Sequence, residues 1–120
     1  MRYMINKDGT TRPEDYEDEA LCLYEKGDTR RIIKYHYWKK EGITVSTIFL
    51  IHDHSFGQGR PVLFETMVFD SEEDKYCLRY FTKEEADKGH DDLLAKTIDE
   101  FDLDIKDAVY RSGYGETKDE

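Results

Sequence analysis

The densest concentration of chemically versatile side chains is the stretch His52-Asp53-His54-Ser55-Phe56-Gly57-Gln58-Gly59-Arg60-Pro61, where imidazoles, a carboxylate, a hydroxyl and a guanidinium lie among glycines. His52 and His54, two positions apart, would share one side of an extended segment and offer two nitrogen ligands to a metal. A third ligand would have to come from a distance, with His90 or Glu65 as the candidates. The competing reading has one imidazole anchoring the loop and the other facing solvent. A nucleophilic reading would use Ser55 with His54 or His90 and an acid such as Asp53 or Glu65, but the strand-turn-helix elbow GxSxG is absent. The amides of Gly57-Gln58-Gly59 could face a phosphate, yet no complete phosphate-binding or dinucleotide pattern surrounds them, and a turn is their simpler role.

Two further groupings carry chemistry. Glu65 interrupts the apolar run Leu63-Phe64-Glu65-Thr66-Met67-Val68-Phe69 and, on a shared face with Leu63, Met67 and Phe69, needs a partner. Arg79 on the next predicted strand is the natural one, by cross-strand pairing that fixes register. Arg30, Arg31, Lys34, Lys39 and Lys40 are interleaved with Tyr35, Tyr37 and Trp38, a mixture able to stack on and neutralise a nucleotide-like ligand. Alternation limits that reading: with Ile33, Tyr35 and Tyr37 facing the core, Lys34, His36 and Trp38 face outward in a short stripe.

The elements that must position these residues follow from periodicity. Thr10, Thr11 and Pro13 precede the acidic Glu14 to Glu19 and then apolar positions at helical spacing up to Gly27, which predicts a helix over 13–26; a short strand across 20–24 competes with it. From Arg31 the period becomes two. Ile33 to Trp38, the turn Lys39-Lys40-Glu41-Gly42 and Ile43 to Ile51 predict a hairpin, and Val62 to Phe69 and Lys75 to Phe81 a second pair of strands around Asp70 to Asp74. Thr82-Lys83-Glu84-Glu85 fits a capping box, followed by Ala86, His90, Leu93, Leu94, Ile98 and Phe101 on one helical face. The expected fold is α+β: a four-stranded antiparallel sheet packed with an N-terminal and a C-terminal helix, one domain over 1–120, with 13–101 as ordered core and 102–120 as a flexible tail.

Composition bounds the partners. A chain of 120 residues supports one core, and 28 acidic against 18 basic residues give a formal charge of −10, which repels phosphate backbones and anionic membranes. Direct nucleic-acid and membrane contacts are therefore not expected, whereas a basic protein surface is a compatible partner. The first thirty residues do not read as a signal peptide, and no apolar run approaches the ~20 residues that span a bilayer. Cys22 and Cys77, outside any CxxC, are expected to be reduced core residues, which points to the cytoplasm.

Four segments carry a family resemblance. Thr44-Val45-Ser46-Thr47-Ile48-Phe49-Leu50, Asp53-His54-Ser55-Phe56-Gly57, Leu63-Phe64-Glu65-Thr66-Met67-Val68-Phe69 and Arg79-Tyr80 with Thr82, Ala86 and Gly89-His90 resemble a family of small phage and prophage proteins, over roughly residues 43–95. The resemblance implies a phage origin and no particular activity. Since small acidic phage proteins without catalytic motifs often work by binding, the leading expectation is a binding protein in the host-cell cytoplasm, more a binder than an enzyme and without cofactor or metal, that engages a host or phage protein, as an inhibitor of an antiviral defence factor would. Its expected ligand-binding residues are His54, Arg60, Glu65, Arg79 and His90. Two alternatives stand beside it: a sponge for a nucleotide-like messenger, using Arg31, Lys34, Trp38, Arg60 or His54 in a pocket between subunits of a homo-oligomer, and a small metal-dependent enzyme at His52, His54 and His90.

Overall fold

A computed structural model describes residues 2–14, 29–53, 55, 59–71 and 73–114. Strands β1 (Arg2–Ile5) and β2 (Thr11–Glu14) form a small antiparallel hairpin. After a 3-10 turn at Thr29–Arg31 come β3 (Ile32–Trp38), β4 (Ile43–Phe49), β5 (Phe64–Asp70) and β6 (Glu73–Tyr80). The helix α1 (Lys83–Phe101) and the short strand β7 (Val109–Arg111) complete the described chain. The large sheet has five strands in the order β6-β5-β4-β3-β7, every described pairing antiparallel.

The predicted α+β class and the four-strand meander agree with this architecture, and the count of elements is corrected. The one α-helix among the described residues is the predicted C-terminal one, and the sheet gains a fifth strand from the segment beyond α1 where the apolar pattern thins. The predicted helix over 13–26 cannot begin where the sequence placed it, because Pro13 and Glu14 pair with Tyr3 and Arg2 in β2. The rest of that span, with Cys22, lies outside the described residues. The hairpin is set by its turn: Gly9 adopts φ +90°, and the Asp8 carboxylate accepts hydrogen bonds from the Thr10 amide and hydroxyl.

The β3–β4 hairpin closes through Lys39 to Gly42, with the Gly42 amide donating to the Trp38 carbonyl and Gly42 at φ +71°. Between Ile32 and Lys34 the β3–β4 register shifts by one residue. Ile33 is buried as expected, but beyond the bulge the faces of β3 are reversed: His36 and Trp38 are buried, and Tyr35 and Tyr37 turn to the other side, half-buried.

Helix α1 begins at the predicted capping box, with the Thr82 hydroxyl accepting from the Glu85 amide and the Glu85 carboxylate accepting from the Thr82 amide. It ends at Asp102, which takes the left-handed conformation while the Leu103 amide closes onto the Ile98 carbonyl. The helix lies across one face of the sheet and divides the core into two clusters. Met4, Ile5, Ile33, Phe49, Leu63, Phe64 and Ala86 pack at the end near the small hairpin. Trp38, Ile43, Val45, Val68, Leu93 and Ala108 pack at the other end. Among the described residues no helix is long and apolar enough to cross a membrane.

Candidate functional site

Between the two apolar clusters, beneath the middle of α1, lies a row of polar side chains. Thr47 and Thr66 are direct cross-strand partners on β4 and β5, and both occupy inward positions otherwise held by Val45, Phe49, Phe64 and Val68. Their hydroxyls hydrogen-bond each other. Burying a hydroxyl without a partner would cost about 1–3 kcal/mol, and pairing the threonines avoids that cost. His90 descends from α1, and its Nδ1 lies 2.7 Å from the Thr47 hydroxyl oxygen. Its Nε2 lies 2.8 Å from Nδ1 of His36 on β3. Thr47, Thr66 and His90 are fully buried, and His36 is 9% exposed, its ring lying against that of Tyr110 with centroids 4.7 Å apart. The row therefore links helix to sheet through side chains of β3, β4 and β5.

The electrostatics follow from burial. Desolvation pushes the His36 pKa down to about 4, with the Asp91 carboxylate opposing that shift and Lys34 reinforcing it. Burial also pushes His90 down to about 3, aided by His36 and Lys34. Both imidazoles are neutral at pH 7. Asp91 and Lys34 form an ion pair at 3.0 Å where this row meets the surface. The Tyr80 hydroxyl is buried beside Gly89 of α1 and within reach of the Thr66 side chain; burial raises its pKa, with the Thr66 hydroxyl opposing that rise. Gly89 is required there, since a methyl group at that position would overlap the Tyr80 ring and hydroxyl.

Of the residues singled out from sequence, Glu65 and Arg79 meet as expected: they are register partners, and Arg79 Nε donates to Glu65 Oε2 at 2.9 Å. They lie on the face of the sheet opposite α1. His90 is on the other face, so these three residues do not form one site. Arg60 sits with its guanidinium 4.6 Å above the ring of Phe81. His54 lies outside the described residues.

The loop that looked most reactive is organised by Asp53. Its carboxylate accepts from the Ser55 amide at 2.8 Å, the Ser55 hydroxyl at 2.7 Å and the Val62 amide at 2.8 Å. The hydrogen bonds from the Ser55 amide and hydroxyl, then that from Val62, hold its pKa below the usual carboxylate range. Ser55 thus serves as a turn residue bonded to a carboxylate, without an imidazole base on its hydroxyl among the described residues. His52 is exposed, and both ring nitrogens of His90 are engaged by protein groups. Among the described residues no group of three or more His, Cys, Asp or Glu side chains could hold a metal ion. The basic and aromatic stripe of β3 is also rearranged, because the bulge buries Trp38, whose Nε1 donates to the Asp104 carbonyl at 2.8 Å, and Lys34 reaches Asp91. Cys77, expected in the core, is exposed on β6, and partial burial and the neighbouring Glu65 carboxylate raise its thiol pKa.

The face opposite α1 presents Tyr35 and Tyr37 of β3, Ser46 and Ile48 of β4, and Met67 and Phe69 of β5, all half-buried, with the Glu65–Arg79 ion pair toward the β6 edge. The two tyrosine rings are 6.3 Å apart. Among the described residues no element packs across this face. An open depression of about 420 Å³ lies elsewhere, between the β1–β2 turn and the start of α1, lined by Asp8, Glu84 and Asp87 as well as Lys83. Its carboxylates oppose an anionic ligand, and Lys83 is already paired with Asp87 at 2.9 Å.

His36, Thr47 and Thr66 were missed by sequence reasoning. The threonines carried a signal, because each interrupts an apolar alternation at the inward phase, Val45-x-Thr47-x-Phe49 and Phe64-x-Thr66-x-Val68. Two inward hydroxyls on adjacent strands call for each other and for a third polar group from the covering helix. No family model, curated protein or solved structure matches the chain, so its functional reading rests on these features.

Proposed function

We propose that the protein is a non-enzymatic binding protein whose partner is another protein, of host or phage, engaged through the face of the sheet opposite α1. The observation that carries this reading is the make-up of that face: Tyr35, Tyr37, Met67 and Phe69 with a charged pair beside them. Tyrosine, methionine and arginine are the side chains that protein interfaces enrich, and a sheet face offers them at fixed spacing. The net charge of −10 favours a partner whose contacting surface is basic and disfavours nucleic acid. An inhibitor of a host defence factor, a role that suits a small acidic phage-type protein, would work by such an engagement. The polar groups best placed for chemistry support a structural use instead, since His90, Thr47 and Thr66 bond one another inside the core.

The test is affinity capture from host lysate with the wild-type chain, the sheet-face variant Tyr37→Ser/Phe69→Ser and the outer-helix variant Lys88→Ala/Lys96→Ala, all checked for folding by circular dichroism. A protein retained by wild type and the helix variant and lost from the sheet-face variant is the expected result. Equal retention by all three would refute the assignment of the face.

A further inference from the structure

The row under α1 has a property that follows from counting its protons. His36 and His90 face each other nitrogen to nitrogen at 2.8 Å, so one of those atoms must carry hydrogen and the other must not. Two neutral imidazoles satisfy this, and the second nitrogen of His90 exchanges a hydrogen bond with Thr47. A single added proton can be accommodated, because a protonated His90 donates from both nitrogens. Two added protons cannot, because N–H would then point at N–H across a hydrogen-bond distance.

The surroundings also oppose positive charge. His90 is fully buried, and its partner from β4 is the neutral hydroxyl of Thr47, which in turn bonds the neutral hydroxyl of Thr66 on β5. From β6 the Tyr80 phenol lies on this side of the sheet against Gly89, and burial raises its pKa, so it brings no charge in the physiological range. From β7 the Tyr110 ring covers His36. The charged residues near the pair are Lys34 of β3 and Asp91 of α1, and they are spent largely on each other at 3.0 Å.

We propose that the His36–His90 pair is an acid-sensitive latch that seats α1 on the sheet while both rings are neutral and releases it when both are protonated. His90 is one of four buried residues of α1, with Ala86, Leu93 and Thr97, and sits between the two apolar clusters, so losing it frees the middle of the helix. Release would uncover the apolar side of the sheet, a surface distinct from the one proposed above for partner binding.

The sign is fixed by burial. Both imidazoles bind protons less readily in the folded protein than the ordinary value of about 6.5. The opened state therefore takes up more protons, and stability is full above pH 6.5, falls as the pH drops below it, and levels off below the folded-state values near 4 and 3. With two such groups, the unfolding constant rises by up to about a hundredfold per pH unit within that window, and by about tenfold when one group is removed.

The experiment is denaturant unfolding of the full chain at pH 7.5, 6.0 and 5.0 for wild type, His36→Gln and His90→Gln, with hydrogen exchange followed on wild type, corrected for intrinsic rates. The expected result is a steeper acid dependence in wild type than in either variant, with α1 amides losing protection before those of β4 and β5. A wild-type slope equal to that of His36→Gln would overturn the proposal, and so would simultaneous loss of protection in helix and sheet. If the variants do not fold, nuclear magnetic resonance titration of the wild-type imidazoles decides: two rings titrating below about pH 5 support the latch, and His36 or His90 titrating near 6.5 contradicts it.

Discussion

Thr47 is the residue on which most of the buried polar row depends. Its hydroxyl contacts both Thr66 and His90, so Thr47→Val keeps the shape and removes two hydrogen bonds at once. It leaves a hydroxyl and a ring nitrogen unpaired in the core, and the expected loss is about 1–3 kcal/mol by urea unfolding at neutral pH. The ion pair on the opposite face is worth less. The Glu65 side chain is 11% exposed and that of Arg79 46%, so solvent screens one end of the contact. A double-mutant cycle with Glu65→Gln and Arg79→Met is expected to give a coupling of about 1 kcal/mol or below. The pairing of Glu65 with Arg79 was legible in sequence because a carboxylate in an apolar strand demands a cation on the neighbouring strand. The partner of His90 was not, since finding His36 requires knowing which way β3 faces.

At the scale of elements, β4, β5, β6 and α1 are written in strong local patterns: β-branched and aromatic alternation for the strands, a capping box and an apolar stripe for the helix. What alternation could not supply is the bulge in β3. Ile32, Ile33, Lys34 and Tyr35 fit an inward Ile33 followed by Tyr35 and Tyr37 as well as they fit an inward Ile33, one extra residue, and then His36 and Trp38. Packing decides, because the second choice buries the large indole of Trp38 against Leu93 and Ala108. β1, β2 and β7, at three or four residues each, are too short for a period to be read. The contact of α1 with β6 gives a test of helix seating. Gly89→Ala should raise helix propensity by about 1 kcal/mol, but the added methyl meets the Tyr80 ring, an overpacking cost of about 1–3 kcal/mol. The expected outcome is a lowered Tm, relieved when Gly89→Ala is combined with Tyr80→Leu.

For the molecule as a whole, the sheet is a partition with different surroundings on its two sides. One side is closed by α1 over two apolar clusters and the polar row between them. The other offers aromatic and thioether side chains with an ion pair toward the β6 edge, without a described element across it, and the chain as a whole carries a net charge of −10. If the partner's surface is basic, its association rate should fall by tenfold or more between 50 mM and 500 mM salt, with a smaller change in dissociation rate, measurable by surface plasmon resonance once the partner is captured.

The most direct test of the proposed binding face is site-specific photo-crosslinking. A benzophenone amino acid is placed at Tyr37 or Phe69 on the sheet face, or at Lys96 on α1, and each chain is irradiated in host lysate. The account predicts the same partner adduct from positions 37 and 69 and none from 96. An adduct formed from position 96 and absent from 37 and 69 would contradict it.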